Sequence, residues 1–224
     1  MKKTIVITGA NRGLGKALVD VLIKDENCLV ISISRSLSKD QQSHSSNNFQ
    51  FIKVDLAENN VSKKITALKD KIGDESICFI NNASIIQPIV KIEDLGEAAM
   101  DKTLSINMKS TMVIVNYLLK NFNNNPLTFV NISSGAANRA ISNWSLYCSS
   151  KAFIQMFFNV AESEYKQHRF LNIDPGVMDT GMQKELRASN FPDVENFKEL
   201  QKEGQLKAPL AVAQDILKII EKKG

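Results

Sequence analysis

The sequence is short of the residues that several kinds of protein chemistry require. Its three cysteines, Cys28, Cys78 and Cys148, are widely spaced and odd in number, a pattern that builds neither a disulfide framework nor a zinc site. Cys28 and Cys78 stand in apolar, strand-like runs, where a reduced thiol serves as a small core residue. His44 and His168 are the only histidines, so metal catalysis and serine–histidine triads are poorly supplied. Acids and bases nearly balance, 24 Asp and Glu against 28 Lys and Arg for a formal net charge of +4. The two signs are interleaved, and no nucleic-acid partner is expected. Long apolar runs are also missing. The longest, MVIVNYLL from Met112, is interrupted by Asn116 and falls far short of the roughly 18 residues of a membrane span. The opening MKKTIVITGAN breaks at Gly9, too early for the apolar core of a signal peptide. These exclusions predict a cytoplasmic, single-domain protein over residues 1–224 with no membrane partner.

What is present is alternation. Segments 4–8, 28–34, 49–54, 77–81, 127–133 and 169–174 are short, apolar and rich in β-branched residues, and read as strands. Stretches of helical period separate them, such as Val61, Ile65, Leu68 and Ile72 at spacings of three and four. This order predicts an α/β fold, a doubly wound parallel sheet with helices on both faces. Segments 100–122 and 147–165 are apolar on more than one helical side. Each is either a deep intradomain helix or one that meets a second subunit. Segment 36–48, SLSKDQQSHSSNN, reads as a solvated loop.

Two motifs carry chemistry. TGANRGLG, residues 8–15, joins the first strand to the first helix. Its glycines let the backbone approach a pyrophosphate while helix N-terminal amides face the charge. SLYCSSK, residues 145–151, sets Tyr147 and Lys151 four apart, on one face of a helix. Lowering a phenol from about pH 10 to about pH 7 takes on the order of 4 kcal/mol. A cation about 5 Å away supplies roughly 0.8 kcal/mol in water and about 3 kcal/mol at an effective dielectric near 20. Lys151 therefore acts strongly on Tyr147 only in a partly dry site; an isolated pair of this kind is otherwise a solvated helical face.

In order along the chain, TGANRGLG, Asp55-Leu56, Asn81-Asn82-Ala83, Asn107, NISS ending at Ser134, YCSSK and PGVMDT from Pro175 resemble the short-chain dehydrogenase/reductase family over nearly the whole length. The later half, with ISSGAA, LYCSSK and PGVMDTGMQ, looks most like the sepiapterin reductase and bacterial benzil reductase branch. The resemblance implies a Rossmann fold and an NADPH-dependent reductase acting on a small-molecule ketone or diketone carbonyl, with a 3-oxoacyl carrier-protein reductase or a non-catalytic NADPH-binding sensor as the alternatives. It implies a catalytic set of Asn107, Ser134, Tyr147 and Lys151, with Tyr147 as the acid, Ser134 holding the carbonyl oxygen, Lys151 also binding the nicotinamide ribose, and Asn107 supporting a water-linked proton path. The spacing from the tyrosine selects Ser134 over Ser133; Cys148 has no needed role.

For the cofactor, the resemblance assigns Gly9, Asn11, Arg12, Gly13, Leu14 and Gly15 in the glycine loop. It adds Asp55 and Leu56 at the adenine edge, and Asn81, Asn82 and Ala83 beside the adenosine. Tyr147 and Lys151 recur, and Pro175, Gly176, Val177 and Thr180 receive the nicotinamide. The second strand ends Ser34-Arg35, where NAD-specific relatives carry an acid. With Arg12, this favours NADPH over NADH. The segment 181–207 resembles a lid that orders over ligand; Trp144 and Met182 are candidate pocket walls, with core packing the alternative for Trp144. An aromatic or diketone substrate suits those walls. Two departures stand out. Ser84 replaces the glycine of the family's NNAG, and the chain runs out after a helix at 209–223, without the family's usual seventh strand or the C-terminal acid that anchors pterin in sepiapterin reductases. A homodimer through the two apolar helices is the expected assembly.

Overall fold

The computed structural model describes residues 3–43 and 48–222. Its centre is a six-stranded sheet in the order β3-β2-β1-β4-β5-β6. The strands are β1 (Lys3–Thr8), β2 (Cys28–Ser34), β3 (Phe49–Lys53), β4 (Ser76–Asn81), β5 (Leu127–Ile132) and β6 (Arg169–Ile173), and every pairing is parallel. All six predicted strands form, shifted by a residue or so at their ends. The order reverses between β1 and β4, the position where open parallel sheets leave a crevice at their C-terminal ends.

Residue alternation within the strands explains the two layers. Val6, Ile31, Ile33, Phe79, Phe129 and Phe170 face one side and pack on Ile114, Leu118, Ile154 and Phe158. Ile5, Ile7, Val30, Ile80 and Val130 face the other and pack on Leu14, Leu18, Val212 and Ile216. The first layer comprises α3 (Val61–Lys64), α4 (Glu97–Leu104), α5 (Ser110–Asn121) and α6 (Ser145–Glu164); the second comprises α1 (Gly13–Leu22) and α9 (Pro209–Lys222). Phe129 stacks on Phe170 with centroids 4.7 Å apart, and Phe79 and Phe158 meet this pair edge-on. Cys28 and Cys78 are buried, and burial pushes their thiols up to about 11 and about 12, as expected of reduced packing residues.

Four expectations are refined. The pattern Val61 to Ile72 buries all four apolar residues, but only α3 is α-helical; Ile65–Leu68 is a tighter turn of 3₁₀ helix. Segment 100–122 is a helix interrupted, since α4 and α5 join through a π turn over Ser105–Lys109. Segment 36–48 is not a plain solvated loop. It contains α2 (Lys39–Gln42), started by a capping box between Ser38 and Gln41, and buried Gln41 donates from Nε2 to Ala10 O at 2.8 Å. Positions 44–47 of that segment, including His44, lie outside the described residues, as does Lys223 of the last helix. Finally, two further helices, α7 (Gly181–Arg187) and α8 (Val194–Lys202), lie in the segment predicted as a lid.

Candidate active site

A cleft of about 840 Å³ opens at the C-terminal ends of the strands. Its floor is the turn from β1 into α1. Gly9 has φ +65°, and a Cβ there would lie 2.9 Å from Ala83 Cα; only glycine meets both demands. A Cβ at Gly15 would fall 2.5 Å from Asn82 Nδ2. Asn82 Nδ2 donates to Thr8 O and Gly9 O at 3.0 and 3.1 Å, and Thr8 Oγ1 accepts from Asn82 N and Ala83 N, both at 3.1 Å. The ends of β1 and β4 are thus interlocked. No side chain caps the start of α1 and its first turn holds no acid, so its amides suit an anion.

Opposite this floor, α6 presents Tyr147 and Lys151, 6% and 8% exposed. Lys151 Nζ donates to Ile132 O at 2.8 Å and lies 5.6 Å from the Tyr147 ring centroid. Burial pushes the phenol of Tyr147 up to about 12, against a smaller lowering by the nearby hydroxyl of Ser134, just past β5. Burial likewise brings Lys151 down to about 8. In this dry setting desolvation of the phenolate exceeds the help the protein's own groups give it. Asn107, in the π turn, accepts from Ile85 N at 2.9 Å and donates to Ile85 O and Ser150 Oγ at 2.8 and 3.1 Å. Ser150 Oγ in turn donates to Tyr147 O at 2.9 Å.

A family model for short chain dehydrogenases matches residues 3–190, most of the chain. The chain belongs to the short chain dehydrogenase family. It is 35% identical to an uncharacterized oxidoreductase of Schizosaccharomyces pombe, over 95% of this chain and 88% of the relative. It is 32% identical to the benzil reductase ((S)-benzoin forming) of Bacillus subtilis, over 97% and 93%, and 29% identical to the sepiapterin reductase of Bos taurus, over 96% and 88%. Among solved structures, the KRED1-Pglu enzyme superposes with a TM-score of 0.86 at 29% identity, covering 95% of this chain and 92% of that one. A short chain dehydrogenase/reductase of Saccharomyces cerevisiae gives 0.84 at 27%, covering 93% and 86%.

Most residues that the family resemblance singled out line this one cleft: Gly9, Asn11, Arg12, Gly13, Leu14, Ser34, Arg35, Asp55, Leu56, Asn82, Ala83, Ser134, Trp144, Tyr147, Lys151, Pro175, Gly176, Val177, Thr180 and Met182. Three do not. Gly15 is packed behind the turn against Asn82, and Asn107 is buried beneath the site. Asn81, expected beside the adenosine, is turned inward. It donates to Asn131 Oδ1 at 3.1 Å and accepts from Thr111 Oγ1 at 2.8 Å, while Asn131 donates onward to Asn172. Ser133 donates to Gln155 rather than joining Ser134. Trp144 proves to be both wall and core: it is 4% exposed and meets the rings of Tyr147, Phe191 and Phe197 at centroid distances of 5.6 to 5.9 Å.

The cleft also holds residues that sequence reading passed over, among them Lys102, Arg139, Asp174 and Glu185. Glu185, on α7, forms an ion pair with Arg12 at 3.6 Å, joining α7 to the glycine loop. Asp174 could have been noticed, as the residue just before the Pro-Gly turn of the family motif.

Proposed function

We propose that this protein is an NADPH-dependent carbonyl reductase that converts a ketone or diketone to an alcohol with Tyr147 as the general acid. The observation that carries the reading is the meeting of Ser134, Tyr147 and Lys151 with the interlocked glycine loop in one cleft. The glycine-loop cradle and the uncapped start of α1 fit a pyrophosphate, and a nicotinamide bound there supplies the hydride. Pro175, Gly176, Val177 and Thr180 border its nicotinamide end; Asp55, Leu56 and Ala83 border its adenine end. Arg35, exposed at the end of β2, and Arg12 answer a 2′-phosphate, where a charge-assisted hydrogen bond contributes about 1.5–3 kcal/mol.

The chain's own residues then divide the work. Ser134 Oγ and the Tyr147 hydroxyl hold the carbonyl oxygen, and Tyr147 gives it a proton. A phenol raised by burial is protonated throughout the neutral range, which suits the reductive direction. Lys151 sits close enough to stabilise the phenolate left behind and to bind the ribose. Asn107 fixes the backbone at Ile85 and, through Ser150, the first turn of α6. The benzil and sepiapterin reductases among the relatives favour a diketone or an aryl ketone as the substrate class. Homodimerisation belongs to the same proposal. A second groove, between α5 and α6, is lined by Val113, Tyr117, Phe157, Val160 and Tyr165, with Phe153 and Met156 exposed on α6. A monomeric mass in solution would overturn that part.

The deciding assay follows loss of reduced-nicotinamide absorbance with benzil. NADPH consumption well above NADH supports the reading; no oxidation across a panel of ketones, diketones and 3-oxoacyl thioesters would leave an NADPH-binding protein without this activity.

A further inference from the structure

Asp174 follows β6 directly and lines the cleft, among Ser134, Gly135, Tyr147 and Lys151. Its two oxygens are not equivalent. Oδ1 accepts from Gly176 N at 2.9 Å, which pins the carboxylate to the Pro-Gly turn. Oδ2 points across to the turn after β5, 3.5 Å from where a Cβ on Gly135 would stand; the glycine leaves that oxygen uncovered. Asp174 is exposed to the cleft and forms no ion pair among the described residues. The charged and titratable groups around it are Tyr147, with Cys148 beside it, and Lys151 on α6, and Lys207, whose Nζ approaches Gly176. Second to burial for Lys151, and after burial and Ser134 for Tyr147, its negative charge raises both groups, so it lies within electrostatic reach of the reacting centre. A carboxylate oxygen left without a donor when ligands displace water is unfavourable, and the turn supplies no second donor to it.

We propose that Asp174 is a substrate-selecting carboxylate whose free oxygen accepts a hydrogen bond from a hydroxyl or a protonated amine on the carbon next to the reacting carbonyl. The assignment rests on the carbonyl-reductase reading of the cleft and deepens it, by naming α-hydroxy and α-amino ketones as preferred over ketones that lack a donor. The substitution Asp174→Asn isolates the effect. Gly176 N still requires an acceptor, so the carboxamide oxygen takes the place of Oδ1 and its NH₂ the place of Oδ2, turning the free acceptor into a donor.

The test uses three ketones of one shape: phenacyl alcohol, phenacylamine and propiophenone, which differ only in the terminal OH, NH₃⁺ or CH₃. Binding is read as quenching of Trp144, the one tryptophan of the chain, with the protein saturated in oxidised cofactor so that no turnover occurs. Wild type is expected to bind the two donor-bearing ketones roughly 10- to 150-fold more tightly than propiophenone, the range for a hydrogen bond to a charged group. In Asp174→Asn that ratio should fall below about threefold. An unchanged ratio in the variant, or no preference in wild type, overturns the proposal. Asp174→Ser serves as a second variant should the first not fold, with thermal melting to check each. Turnover with NADPH is scored separately: a binding ratio that follows Asp174 without any NADPH oxidation supports this assignment and sinks the reductase reading alone.

Discussion

On the glycine-loop side of the cleft, backbone amides, one threonine hydroxyl and one asparagine make every close approach. On the side of α7 and α8, aromatic rings do the joining. Gly9 and Gly15 leave no room for a Cβ, and Thr8 Oγ1 and Asn82 Nδ2 are each tied to backbone groups across the turn. Trp144, Phe191 and Phe197 meet at tilted angles. Trp144 Nε1, Ser84 Oγ and Gln183 Oε1 are buried with no partner among the described residues. The first arrangement is rigid because hydrogen bonds and glycine contacts have narrow geometry. The second can be repacked, because ring contacts are broad and non-directional. A site that binds a constant group on one side and selects a variable one on the other has use for both.

The comparison can be broken at its boundary first. Tyr147 belongs to the aromatic cluster yet is assigned the chemistry, so Tyr147→Phe should keep the packing and NADPH affinity while lowering kcat about 10²- to 10⁴-fold. Equal turnover in steady-state kinetics would remove Tyr147 from its role. Next comes Lys151, held at about 8 by burial against an ordinary value near 10.5. The unfolded chain therefore binds more protons between those values. The resulting destabilisation is full below about pH 8, is lost as pH rises to about 10.5, and is on the order of 3 kcal/mol. Lys151→Met should melt higher than wild type at pH 7, despite losing the bond to Ile132 O, with the gap closing by pH 10, and it should be inactive.

On the rigid side, Gly15→Ala drives a methyl into Asn82 and is expected to destabilise by about 2 kcal/mol, as overpacking does, and to weaken NADPH binding in a fluorescence titration. Phe197→Ala on α8 is the mildest change, since that ring is only partly buried. It should leave melting within about 1 kcal/mol of wild type while raising KM for aryl ketones several-fold. If Phe197→Ala proved as damaging as Gly15→Ala, the two sides would not differ as described.

Much of this was legible from residue order. Short apolar, β-branched runs marked all six strands, and the glycine loop and Tyr-Lys spacing are local patterns whose geometry is set within a few residues. The capping box at Ser38 and Gln41 was also local, but it was masked by polar composition. Other features were beyond such reading. The inward turn of Asn81 depends on Asn131 and Thr111, which are 50 and 30 residues away. The π turn that carries Asn107 has no pattern of its own; it persists because Asn107 bonds both backbone groups of Ile85.

The sequence by itself determined the parallel α/β sheet, the glycine turn and the Tyr147–Lys151 spacing, because apolar runs, glycine conformation and helical spacing are properties of neighbouring residues; the family resemblance singled out the proposed catalytic set. Only the tertiary structure decided that Tyr147 stands above and Lys151 below their ordinary pKa values, that Trp144 is wall and core at once, and that Asp174 turns a free oxygen into the cleft. Each of those depends on how much water and which distant groups surround a side chain, and that is settled when the strands come together.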